Sequence, residues 1–187
     1  MPISMIPLVR LALVALAIAG CASPVRADSP PFAIGAVYGY GDGVDIYGAQ
    51  GIWVPRFDND ALQRNGFELR FASQIGRWIA RNHSAKNDSL TYGNVLTELR
   101  YAPWRTAPLR PFIELGLGVH LISHTQIANH NLATVFNFGS EGAAGVTFGE
   151  NERYEIAAFI HHASNARIKQ PNQGLTYSGI RFRIALP

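Results

Sequence analysis

The sequence predicts an all-β fold, an eight-stranded antiparallel β-barrel that crosses the bacterial outer membrane. Three observations carry that expectation. Beyond the first thirty residues the chain divides into eight segments with period-two alternation, each bounded by Gly, Pro, Asn or Asp. One parity of these segments gathers charges of both signs, while the other forms a continuous apolar band. No amphipathic helix competes, and after the leader no apolar run is long enough for a transmembrane helix. Closing the strands into a barrel leaves no unpaired backbone edge in hydrocarbon. The alternative is a secreted, lipocalin-like barrel, which would face its large apolar residues inward.

Residues 1–27 read as an export signal, with Arg10 as the early positive charge and Leu11 to Gly20 as an apolar or small run. Two cleavage sites compete: Ile18-Ala19-Gly20-Cys21 is like a lipoprotein box, and Val25-Arg26-Ala27 fits an ordinary signal peptidase. Residues 28–187 are of a length for one domain. Setting aside Arg10 and Arg26, 14 of the 16 basic residues remain against 13 acidic ones, so the mature chain is nearly neutral and no nucleic-acid partner is expected. Cys21 is the one cysteine, which excludes an intrachain disulfide.

The segments run over 32–41, 44–54, 66–79, 90–101, 110–123, 134–149, 154–164 and 175–185. The third sets Phe67, Leu69 and Phe71 opposite Glu68, Arg70 and Gln74, and the fourth supplies Glu98 and Arg100 to the charged face. In the fifth, Ile113, Leu115, Leu117, Val119 and Leu121 oppose Glu114, Gly116, Gly118 and His120. The sixth separates Phe136, Phe138, Val146 and Phe148 from Asn137, Glu141 and Thr147, and the eighth sets Ile180, Phe182 and Ile184 against Arg181 and Arg183. Glu68, Arg70, Glu98, Arg100, Glu114, Glu141, Arg181 and Arg183 thus share a face with balanced signs, as paired charges filling a narrow interior would. Trp53, Trp104 and Tyr154 fall at one rim, as an interfacial aromatic belt does.

The seventh segment carries the chemistry. His162 and Ser164 are two residues apart near its end and therefore share a face. Their parity is that of Ile156, Ala158 and Ile160, the lipid side. With both termini periplasmic, this strand ends outside, the segment from Asn165 to Gly174 is extracellular and the Glu150 to Arg153 turn is periplasmic. A polar pair facing lipid costs roughly 1–3 kcal/mol for an unpaired hydroxyl, so it calls for a reason. An imidazole beside a serine hydroxyl is the minimal pair for nucleophilic catalysis. The outer leaflet of Gram-negative bacteria would present it with the acyl esters of lipid A.

With these residues in view, the chain resembles the PagL family of lipid A 3-O-deacylases. His162-Ala163-Ser164-Asn165-Ala166, then Lys169-Gln170-Pro171-Asn172 and Gly174, is similar to that family's signature, with weaker likeness at Pro111 to Glu114 and from Asn131 to Phe138. The resemblance implies an eight-stranded outer-membrane barrel that hydrolyses the ester at position 3 of lipid A without a cofactor. It implies Ser164 as nucleophile, His162 as general base, and the amides of Asn165 and Asn172 as candidates for the oxyanion. His161 takes a position usually apolar in the motif and reads as a lumen or structural residue. One departure matters: the family's triad acid is a Glu shortly after the motif's glycine, and Thr176 stands in its place. A threonine can hold the imidazole tautomer but carries no charge, and losing a triad's acid costs on the order of 10⁴-fold in turnover.

Weaker constellations lie in the outer loops. His83, His124 and His130 fit no standard zinc spacing. Arg81, His83 and Lys86, with Arg167 and Lys169, form either a cationic collar for lipid A phosphates or ordinary solvated charge. The expected partners are the lipopolysaccharide substrate and the membrane, and a homodimer is compatible with so small a barrel. A non-catalytic structural or adhesive barrel and a phospholipid esterase are the alternatives.

Overall fold

The computed structural model describes residues 31–55, 62, 64–82, 87–104 and 108–187; the expected export signal lies outside them. Ten strands follow in chain order: β1 (Phe32–Gly41), β2 (Val44–Trp53), β3 (Phe67–Ala80), β4 (Ser89–Tyr101), β5 (Leu109–Ile122), β6 (Gln126–Ile127), β7 (His130–Asn131), β8 (Phe136–Phe148), β9 (Tyr154–Ser164) and β10 (Leu175–Ala185). Eight of them close into a barrel in the order β1-β10-β9-β8-β5-β4-β3-β2, antiparallel throughout. The eight segments read from alternation are these barrel strands, with bounds shifted by a residue or two. The β6–β7 hairpin, inside the connection from β5 to β8, is an addition that two-residue strands are too short to announce.

Alternation sorts the faces as expected. Along β5, Phe112, Glu114 and His120 are buried, whereas Leu115 and Leu117 are each 68% exposed on the outside. Ile75, Ile160 and Ile180 continue that exposed band around the barrel, which is the surface hydrocarbon requires. Trp53, stacked on Phe71, and Tyr154, between Phe148 and Phe182, lie at the rim where β1 begins and β10 ends. Trp104 follows β4 at the same rim. Trp78 differs: it is fully buried inside the barrel.

Near the terminal rim the interior is an ionic lattice of four arginines and four glutamates. Arg100 lies 2.8 Å from Glu114 and 2.7 Å from Glu155, Arg183 is 2.9 Å from Glu98, and Arg181 bonds both Glu114 and Glu141. Arg70 bridges Glu114 and Glu155 at 3.3 and 3.2 Å. Glu155 is the lattice member that alternation did not single out, and Glu68 stays partly exposed, 3.4 Å from Arg70. Equal numbers of each sign let so many buried charges be tolerated. Carboxylate oxygens of Glu98, Glu114 and Glu141 come within 4.8 Å of one another, but Arg181 and Arg183 already act as their counter-ions.

Toward the other rim, the lattice gives way to stacked rings. His120 lies 5.2 Å from both Trp78 and Tyr92, and His161 stacks on Tyr177 at 4.9 Å. Ile127 and Leu132, from the hairpin and the residue after it, are fully buried above these rings and cap the interior. The barrel is thus packed with its own side chains, and chemistry must take place on its outer surface or in its loops.

Candidate active site

β9 turns successive side chains to opposite sides. His161 and Ala163 are fully buried, His162 is exposed and Ser164 is half-buried, as the parity of the sequence requires. His161, the inward neighbour, is a lumen residue bonded through Nδ1 to Glu141 at 3.1 Å. His162 and Ser164 share the outer face, their Cα atoms about 6.6 Å apart by strand rise. An imidazole and a hydroxyl projecting from the same face are of a size to span that gap.

The flanking strands complete the surroundings. His162 stands opposite Ser140 on β8 and Thr176 on β10, and Ser164 stands opposite Phe138. Thr176 Oγ1 lies 2.8 Å from His162 Nδ1, which fixes the ring by that nitrogen. Phe136 and Phe138, in edge-to-face contact at 5.4 Å, present an exposed apolar surface on the Ser164 side. On the β10 side, the Thr176 backbone N–H donates to Asp42 Oδ2 at 2.9 Å across the seam between the first and last strands.

The loop from 165 to 174 returns beside His162. Gly174 has φ +64°, and a Cβ there would approach His162 Cε1 to 3.0 Å, so glycine allows the chain to return directly behind the imidazole. The capping hairpin braces this loop. His130 Nδ1–H donates to the Gly174 carbonyl at 3.1 Å, and the Gln173 side chain accepts from the Asn131 N–H. Asn165 spends both amide hydrogens on carbonyls, those of Leu132 at 2.7 Å and Lys169 at 2.9 Å, while its backbone N–H donates to Asn172 Oδ1 at 3.1 Å.

Of the loop charges, Arg167 and Lys169 are exposed, whereas His83 and Lys86 lie outside the described residues. Arg81 is engaged by Asp45 through two hydrogen bonds and lies over the Tyr40 ring; the bond to Asp45 holds its pKa above the ordinary arginine range. His124 contacts Ser123 and His130 serves Gly174, so each has its own protein partner. Asp42 and His130 are the participants that sequence reading missed. The Asp42-Gly43 pair reads as turn chemistry, and only the pairing of β1 with β10 reveals its reach.

The profile described as lipid A 3-O-deacylase (PagL) matches residues 47–185. A lipid A deacylase PagL from Pseudomonas aeruginosa is 35% identical over 78 residues, which cover 42% of this chain and 44% of that protein. A lipid A deacylase PagL from Bordetella bronchiseptica is 36% identical over 66 residues, covering 35% of this chain and 36% of that one. The aligned stretches thus span less than half of these curated relatives. The crystal structure of the outer membrane enzyme PagL matches with a TM-score of 0.69 at 22% identity, covering 82% of this chain and 99% of that one, a likeness of fold.

Proposed function

Because the chain belongs to the lipid A 3-O-deacylase (PagL) family, we propose that it is an outer-membrane esterase that removes the 3-hydroxyacyl chain ester-linked to position 3 of lipid A. The observation that carries this reading is a serine and a histidine sharing the lipid-facing side of β9, the histidine anchored by Thr176. The family's aligned stretch includes both residues.

In this reading, Ser164 Oγ attacks the ester carbonyl while His162 Nε2 takes the hydroxyl proton, with Nδ1–H donating to Thr176 Oγ1. The tetrahedral intermediate collapses as the imidazolium returns that proton to the departing sugar oxygen, leaving an acyl-serine that water hydrolyses by the same base. Asn172 is the side-chain donor we assign to the oxyanion, because its Oδ1 is fixed on the Asn165 N–H. Asn165, with its amide hydrogens committed to Leu132 and Lys169, holds the loop in place. Phe136 and Phe138 offer the acyl chain an apolar surface beside the nucleophile. No step requires a cofactor.

Mass spectrometry of lipid A from cells expressing the protein or its Ser164→Ala variant tests the proposal. The expected result is loss of one 3-hydroxyacyl mass with the parent and none with the variant. An unchanged acyl pattern together with an inert purified protein would reject it. Release of fatty acid from phospholipids but not from lipid A, measured in parallel, would transfer the site to a different lipid.

A further inference from the structure

We infer that Asp42, in the β1–β2 turn, supplies the negative charge that β10 lacks and acts as a positioning residue for His162, an inference that rests on the Ser164/His162 reading above. Asp42 and Gly43 both have positive φ, 52° and 76°, the geometry of a two-residue type I′ turn in which Asp-Gly is favoured for backbone reasons alone. Turn chemistry does not account for where the carboxylate goes. It leaves its own hairpin, crosses the barrel seam and accepts the N–H of Thr176, the residue whose hydroxyl holds the catalytic imidazole.

The backbone permits this contact. A Cβ on Gly41 would come within 2.1 Å of the Thr176 carbonyl oxygen, so glycine there lets the end of β1 press against β10 and brings the turn onto Thr176. The neighbouring acid, Asp45, spends its carboxylate on Arg81. Asp42 is therefore the acidic side chain that the turn delivers to the site.

Its action is electrostatic and moves no atom. When Ser164 gives its proton to His162, the imidazolium forms beside Thr176, and a fixed anion one residue away stabilises it more than the neutral ring. Asp42 takes part in no proton transfer. Thr176 orients the ring and Asp42 provides the charge, two tasks that a single triad carboxylate combines. A charge separated from the ring by a threonine, in a medium of intermediate dielectric, corresponds to about a 10- to 100-fold effect on turnover.

Asp42→Asn isolates the charge, because asparagine keeps an acceptor for the Thr176 N–H and Asn-Gly also suits the turn. Two readouts apply to purified folded barrel: lipid A deacylation resolved into kcat and KM, and the rate at which a fluorophosphonate labels Ser164. The expected result is a fall of about 10- to 100-fold in both kcat and labelling rate with KM unchanged, relieved when Thr176→Glu is added. Asp42→Asn that matches the parent in both readouts overturns the inference, as does a loss that Thr176→Glu leaves in place when Thr176→Glu alone is at least as active as the parent, which would mark Asp42 as structural. If the parent is labelled at Ser164 but leaves lipid A intact, the substrate assignment fails and the labelling rates alone decide on Asp42. A parent that is not labelled at all overturns both readings.

Discussion

Thr176→Val removes the hydroxyl that lies 2.8 Å from His162 Nδ1 and preserves the side-chain shape. The Thr176 N–H contact to Asp42 is made by the backbone and survives the change, so the variant isolates a single hydrogen bond. Before attack, the neutral imidazole donates to a neutral acceptor, a bond worth about 0.5–1.5 kcal/mol, and in the transition state the donor is charged, worth about 1.5–3 kcal/mol. The difference, about 1–1.5 kcal/mol, affects turnover and not binding, and amounts to roughly 5- to 15-fold. Freeing the ring to sample other orientations adds a further factor, so the expected loss in kcat is about 10- to 50-fold with KM unchanged. The assay is release of 3-hydroxy fatty acid from lipid A by purified protein in detergent, with Ser164→Ala as the floor. Turnover equal to the parent would show that Thr176 does not orient the base. A loss of about 10⁴-fold would show that it carries the full acid function, which its lack of charge forbids.

Other perturbations test neighbouring parts of the argument. Thr176→Glu places a carboxylate beside His162 and is expected to raise deacylation; equal expression with unchanged or lower turnover would show that a carboxylate at this lipid boundary takes up a proton or disturbs the site. Gly174→Ala adds a methyl at positive φ that meets the imidazole, and should lower kcat by about tenfold or more while the barrel remains folded, as read by heat-dependent gel migration. Glu114→Ala leaves Arg70, Arg100 and Arg181 short of their shared partner and is expected to cost about 3–5 kcal/mol in urea unfolding; a smaller shift would mean that the lattice re-pairs around the gap. An epitope inserted after Arg167 should be labelled on intact cells, and labelling only after outer-membrane rupture would reverse the orientation.

Much of this was legible because a barrel wall one residue thick makes parity informative. The period-two pattern located the strands, assigned Glu114, Arg181 and Arg183 to the interior, and set Thr176 on the face of His162 and Ser164, where the register pairs it with His162. Parity does not carry across a loop. Asn165 looks like an amide donor beside Ser164, but its hydrogens go to carbonyls 33 residues before it and 4 residues after it, which only the folded loop brings near. His130 was read as a loop residue, and its contact with Gly174 depends on a hairpin of two-residue strands too short to show periodicity. Asp42 was hidden for a third reason: the first and last barrel strands are neighbours, and its partner lies 134 residues away.

The division between Thr176 and Asp42 has an energetic logic tied to the membrane boundary. A triad carboxylate on β10 must remain ionised while facing outward at a lipid edge, where desolvation favours its protonated form. A threonine hydroxyl at that position costs far less to bury and still accepts the imidazole N–H. The charge can then sit where solvation is easier, in a two-residue turn at the rim, provided the turn is close enough to act. Gly41 supplies that closeness by letting β1 meet β10 at the Thr176 carbonyl. In the proposed site the orienting bond thus stays on the strand, and the negative charge comes from the far side of the seam.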